Sequence, residues 1–117
     1  MSVSFEEIDG NVQQRVQTAL TIVLQFGTVV ETYLFGAHVE GTAQPGSDID
    51  LAVFVEDLAS WDPADQIEMA AKVQRHAGAD IEVHLLPATT LGQTDDAGFA
   101  AWVLASGVKV ACDATDD

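Results

Sequence analysis

The segment that most constrains this chain is Asp48-Ile49-Asp50-Leu51-Ala52-Val53-Phe54-Val55-Glu56. Its β-branched and aromatic content, with period-two alternation, reads as a strand. Successive side chains on a strand point to opposite faces. Ile49, Leu51, Val53 and Val55 therefore share one face, and Asp48, Asp50, Ala52 and Phe54 share the other. The two carboxylates point the same way, about 6.6 Å apart at the strand rise. At an effective dielectric near 20 such charges repel by roughly 2.5 kcal/mol. A hard divalent cation would compensate that repulsion, and Mg²⁺ is typically held by one or two carboxylates plus substrate phosphates. The bland alternative is two solvated aspartates where a strand leaves the surface, because the Asp-x-Asp spacing alone is common.

The other elements follow from periodicity and caps. Ser4-Phe5-Glu6-Glu7 has the form of a capping box. Val12, Val16, Ala19, Leu20, Val23 and Leu24 follow at helical spacing, which predicts a helix from about Ser4 to Gln25, stopped by Gly27. Val29 to Phe35 predicts a strand ended by Gly36. Residues 37–47 contain Gly41, Pro45 and Gly46 and read as a loop. Asp62-Pro63 is an N-cap followed by proline at the first helical position, opening a helix to about His76. Ile67, Ala70, Ala71 and Val73 are its expected buried face, and Gly78 its stop. Asp80 to Leu86 reads as a third strand. Phe99, Trp102 and Val103 predict a last helix ended by Gly107, with Trp102 expected in the core. Val108 to Cys112 can form a short final strand. Residues 1–112 are expected to be one domain, and 113–117 a polar tail.

Composition narrows the function classes. The chain has 117 residues, and no run of 18 apolar residues, so no membrane-spanning segment is expected. It lacks a signal-peptide pattern, and the single cysteine, Cys112, reads as a small apolar residue. These features make a cytoplasmic location the expectation. Nineteen acidic residues face four basic ones, Arg15, Lys72, Arg75 and Lys109, for a net charge of −15. Such a surface repels nucleic acid, so direct nucleic-acid binding is not expected. It suits either a partner with a basic face or a halophilic host, where molar salt screens self-repulsion. The even spread of acids and the scarcity of lysine favour the halophilic reading.

Two further features bear on the aspartate pair. Gly36, with Gly41 and Gly46 after it, would let backbone N–H groups approach a phosphate closely, although each also serves as an ordinary turn. Alternation along the third strand would bring Asp80, Glu82 and His84 onto one face. If that strand lies beside the second, a third carboxylate joins Asp48 and Asp50. Three carboxylates can hold two metal ions that clamp the attacking and leaving oxygens of phosphoryl or nucleotidyl transfer.

The run Leu34-Phe35-Gly36-Ala37-His38-Val39-Glu40-Gly41-Thr42-Ala43-Gln44-Pro45-Gly46-Ser47-Asp48-Ile49-Asp50-Leu51 resembles the signature of the polymerase-β-like nucleotidyltransferase superfamily. That signature is a strand ending in Gly-Ser, a glycine-containing loop and a Ser-Asp-x-Asp strand. Ten residues separate Ala37 from Asp48, as in the minimal nucleotidyltransferase (MNT) members. Asp80-Ile81-Glu82-Val83-His84 and Val103 to Val110 also resemble those members. The resemblance implies an α/β (α+β) nucleotidyltransferase fold, a small mixed sheet flanked by helices. It implies Asp48, Asp50 and a third carboxylate as catalytic ligands of Mg²⁺, two ions in all. Glu82 is preferred to Asp80 for that third place, because it lies further inside the strand. His84 is a candidate supporting group or a plain surface histidine. Gly36, Ala37 and Ser47 are implied at the nucleotide phosphates.

Two departures stand out. The usual serine is Ala37, which loses a hydroxyl donor to phosphate. His38-Val39-Glu40 stands where many members carry basic residues. The implied activity is transfer of AMP from ATP to a hydroxyl. A chain this short leaves little room to bind the acceptor, and the resemblance implies a HEPN-domain partner, with this chain as the antitoxin. The alternative is a weakened nucleotidyltransferase fold that neutralises that partner by contact alone. An antibiotic-modifying enzyme fits less well, since those carry an added helical domain.

Overall fold

The computed structural model describes residues 8–36, 48–92 and 98–110. Helix α1 (Gly10–Leu24) leads into strand β1 (Val29–Phe35). Strand β2 (Ile49–Val55) is followed by a 3₁₀ turn (Leu58–Ser60) and helix α2 (Pro63–His76). Strand β3 (Ile81–Pro87), a 3₁₀ segment (Ala88–Gly92), helix α3 (Phe99–Ser106) and strand β4 (Val108–Lys109) complete the order. The strands form one sheet in the order β3-β2-β1-β4. β1 runs antiparallel to β2 and β4, while β2 and β3 are parallel. This is the expected mixed α/β sheet with helices. Among the described residues, no helix is long and apolar enough to cross a membrane.

Alternation along the strands divides the apolar residues between two layers. Ile49, Leu51, Val53 and Val55 all lie in the main core with Leu34, Ile81 and Val108, under the buried stripes of α1 and α2. Ala52 and Phe54 face the other way and pack with Phe35 and Val103 of α3. Because helices cover both faces, every residue of β2 except Asp50 is buried. Asp50 is the polar interruption in an otherwise apolar strand.

Several boundaries differ from expectation. α1 starts at Gly10, not Ser4, because the Asp9 carboxylate caps it by accepting from the Asn11 N–H at 3.1 Å. The Ser4 to Glu7 box lies outside the described residues. α2 begins and ends where its cap and proline predict, and Asp62 accepts from the Ala64 N–H at 2.9 Å. Its buried face is different: Met69, Val73 and Ala77 point inward, whereas Ile67 is 72% exposed and Ala70 and Ala71 are also exposed. An i, i+4, i+8 row that ends on the C-cap residue Ala77 faces the core, and Val73 is the one expected residue it includes. Trp102 is 46% exposed rather than core. Val103, one position on, takes the inward place in α3. The final strand is shorter than Val108 to Cys112, although the Val110 N–H still donates to Thr32 O at 2.9 Å. Cys112 and the 113–117 tail lie outside the described residues.

One buried group is a stability liability. Thr32 is 1% exposed and its Oγ1 has no hydrogen-bond partner among the described residues. A buried hydroxyl without a partner carries its desolvation cost uncompensated. Thr32→Val keeps the β-branched shape that a strand favours. It is expected to stabilise the fold by about 1 kcal/mol, read as a higher denaturant midpoint at unchanged slope.

Candidate metal centre

The site is built by strand register. Phe35 of β1 is the Cα partner of Asp50 of β2, and Asp50 is the partner of Glu82 of β3. Register partners point to the same face, so Phe35, Asp50 and Glu82 form one row across three strands. The next row on that face carries Tyr33, Ala52 and His84. His84 Nε2 sits 3.6 Å from Asp50 Oδ1 and 3.5 Å from Glu82 Oε1. One ligand atom from each of Asp50, Glu82 and His84 lies within 4.8 Å of the others. Asp50 is the least exposed of the three, at 24% of its side chain, and Glu82 the most, at 56%.

This donor set fits a divalent cation. Two carboxylates from adjacent strands and an imidazole converge at one rim of the sheet, and carboxylate oxygens suit Mg²⁺ or Mn²⁺. Asp48 is exposed and immediately precedes β2. Its side chain is not among the three that converge. Ala37 and Ser47 lie outside the described residues.

Asp80 does not join the row with Glu82 and His84. Arg15 of α1 donates to its carboxylate and, through Nε, to Ala77 O at 2.8 Å. α1 packs on the opposite face of the sheet, so this ion pair draws Asp80 away from Asp50. The Asp80 carbonyl also accepts from the Ile49 N–H at 2.8 Å, which starts the β2–β3 pairing.

Gly36 has a structural reason to be glycine beyond ending β1. Its φ is +90°, a region that side chains disfavour, and a Cβ there would stand 2.8 Å from Asp50 Oδ2. The bare backbone of Gly36 therefore walls one side of the Asp50 carboxylate. Aromatic rings border the cluster on β1. Phe35 lies 5.4 Å from the His84 ring and makes an edge contact with Trp102 at 5.5 Å and 84°. The role of Phe35 in placing His84 was not legible in the sequence, because strand order decides which residues become neighbours.

A second polar group shares this face. Tyr33 O–H donates to Glu31 Oε1 at 2.8 Å, and Lys109 Nζ lies 3.7 Å from Glu31 Oε2. Burial, and then the hydrogen bond and charge of Glu31, push the Tyr33 phenol up from 10.0 to about 12. Tyr33 is the only tyrosine in the chain, so phenolate absorbance reports it alone. The expected midpoint is near 12, falling towards 10 in Glu31→Gln. A raised phenol pKa stabilises the fold fully below pH 10, and that contribution is lost as pH rises through about 12.

Comparison with known proteins bears on this geometry. The family model for the nucleotidyltransferase domain matches residues 16–100, which include α1 from Val16, all of β1 to β3 and the described site. No curated protein matches. A chain from the crystal structure of a toxin-antitoxin with AMP-PNP superposes with a TM-score of 0.56 at 23% identity. The match covers 84% of this chain and 73% of that one, and it shows a shared fold. The chain belongs to the nucleotidyltransferase domain family.

Proposed function

We propose that this chain is a Mg²⁺-dependent nucleotidyltransferase that moves AMP from ATP to a hydroxyl of a partner protein, in an antitoxin-like role. The observation that carries this reading is the register of Asp50 against Glu82 with Gly36 behind them. That arrangement gathers negative charge at a rim where the backbone can approach a ligand closely. Asp48, Asp50 and Glu82 would hold the metal, two ions in all, with His84 beside Asp50 and Glu82. When bound, Mg²⁺ neutralises charge on the phosphates and on the attacking and leaving oxygens.

The chain's own residues supply position. Gly36 would stand at the phosphates; Ala37 and Ser47, implied there by the resemblance, lie outside the described residues. Asp50 is held by a buried strand, so its carboxylate enters the reaction with little reorganisation. The acceptor oxygen bonds to the α-phosphorus as the bond to pyrophosphate breaks. Asp50 or Glu82 takes the acceptor's proton. Positioning and charge neutralisation account for most of the catalysis in such transfers.

The acceptor belongs to a second chain, and a HEPN-domain protein is the partner we infer. The net charge of −15 suits a partner with a basic face. The structural neighbour, solved as a toxin-antitoxin with AMP-PNP, supports a protein partner and an adenine nucleotide. Ala37 and Glu40 favour a second reading, in which the chain neutralises that partner by contact without catalysis.

One assay separates the two. The purified chain is incubated with α-labelled ATP, Mg²⁺ and its HEPN-domain partner, at low and at molar salt. Label on a partner tyrosine supports transfer. A tight complex with no label at either salt sinks the enzyme reading and leaves the contact reading.

A further inference from the structure

We propose that the outer edge of β3 docks an extended segment of a protein partner, added as a further strand beside the carboxylate cluster. The proposal rests on the reading that this chain works on a partner protein, and it names the surface used. β3 is one border of the sheet and β4 the other. β4 is two residues long and carries Lys109, and both features discourage another strand from pairing there. β3 is seven residues long and holds an unbroken register with β2. It has no lysine, and its one proline stands at the last position. Alternate residues of such a strand turn their backbone groups to opposite edges. The Ile49 N–H donates to Asp80 O, and Ile49 is the register partner of Ile81. The backbone groups of Glu82, His84 and Leu86 therefore face β2, and those of Val83 and Leu85 face outward. Among the described residues, no strand meets them on that side.

The flank of α2 beside that edge suits contact better than solvent. Ala70, Val73 and Gln74 of α2 and residues 81–84 of β3 line a groove of about 210 Å³. Pro63, Ile67, Ala70 and Gln74 follow one another at i, i+4, i+7 and i+11, so they share this flank, and all four are exposed. None is charged, on a chain with 19 acidic residues. Ile67, at 72%, is the most exposed large apolar side chain among the described residues. Side chains of an added strand alternate between two sides. Those turned towards α2 enter the groove and are apolar. Those turned the other way stand beside Glu82, whose side chain is 56% exposed, and are basic. That second side is also the face that holds Asp50 and His84. A second copy of this chain fits less well, because it would bring a further net charge of −15 and another Glu82 to the seam.

The test follows backbone amide hydrogen exchange by NMR in the whole chain, free and with the HEPN-domain partner of the transfer assay. In the free chain the amides of Val83 and Leu85 should exchange fast, and those of Glu82, His84 and Leu86 slowly. In the complex, exchange at Val83 and Leu85 should slow by at least ~10-fold. Val83→Pro deletes one outward N–H and leaves the ladder to β2 intact, at a place where an edge strand accepts proline. It should weaken the complex at least ~10-fold, since main-chain bonds carry this kind of affinity. Ile67→Ser alters only an exposed side chain, should also weaken the complex, and decides the matter if Val83→Pro fails to fold. Leu104→Ser, on the exposed side of α3, should leave it unchanged. Unchanged exchange at Val83 and Leu85 in the complex overturns the proposal, and so does full affinity in both variants. Slow exchange at these amides in the free chain overturns it too: a monomer then closes the edge with its own residues, and a dimer with a second copy. Failure of the underlying partner reading looks different: the parent chain then forms no complex, which sinks the docking edge with it.

Discussion

Asp50→Asn is expected to cut nucleotidyl transfer by at least ~10²-fold, while the metal-free protein melts at the same temperature or higher. The two readouts move in opposite directions for one reason. Asp50 faces Glu82 across a parallel strand pair and is the least exposed of the three converging groups. Without a cation, its charge opposes that of Glu82. Removing the charge while keeping the amide's shape relieves the repulsion. With a cation bound, the same substitution would remove one of the proposed ligands. Titrating Mg²⁺ should therefore raise the melting temperature of the parent chain and leave Asp50→Asn unmoved, by linkage. A variant that melts several degrees lower without metal would show Asp50 to be a structural anchor instead. Glu82→Gln should show the same pattern in weaker form, since its side chain is 56% exposed and its charge better screened.

Gly36→Ala is expected to disturb both stability and site. The φ of +90° penalises any Cβ, and the added atom would lie 2.8 Å from Asp50 Oδ2. Backbone strain of this kind costs about 1–3 kcal/mol. The carboxylate sits on a short side chain with two rotatable bonds, so it is expected to turn away from the new methyl. The Mg²⁺-dependent rise in melting temperature should shrink with it. The combined variant Gly36→Ala/Asp50→Asn distinguishes the two contributions. The stability loss persists, because strain belongs to the backbone, but the metal response has nothing further to lose. Full Mg²⁺ stabilisation in Gly36→Ala would mean that the site tolerates the displaced carboxylate.

Much of the fold is legible from local pattern. Alternation in β2 assigned Ile49, Leu51, Val53 and Val55 to one layer and Asp50 to the other, and the structure has them so. The Asp62-Pro63 cap marked the start of α2, and Gly36 and Gly107 marked the ends of β1 and α3. These signals act within a few residues, through φ and ψ limits and through side-chain bonds to nearby backbone. Where several residues could serve, local pattern misled. Asp9 rather than Ser4 caps α1, and the buried residues of α2 are Met69 and Val73, with Ile67 and Ala70 exposed.

The candidate site divides along the same line. Strand alternation alone put Asp50, Glu82 and His84 on the polar side of their strands, because side-chain direction is a property of each residue's own backbone. Whether they meet depends on contacts distant in sequence. The parallel pairing of β2 with β3, in the register Asp50 to Glu82, brings together residues that lie a helix apart in the chain. Arg15, from the other face of the sheet, draws Asp80 out of the row and leaves Glu82 as the carboxylate beside Asp50. Phe35 contacts both the imidazole and the indole, and Trp102 is 46% exposed where spacing had put it in the core. The Asp-x-Asp strand thus carried its chemistry in the sequence. Tertiary packing decided that Asp50 rather than Asp48 stands at the converging cluster, since only packing chooses which strand becomes the neighbour and in which register.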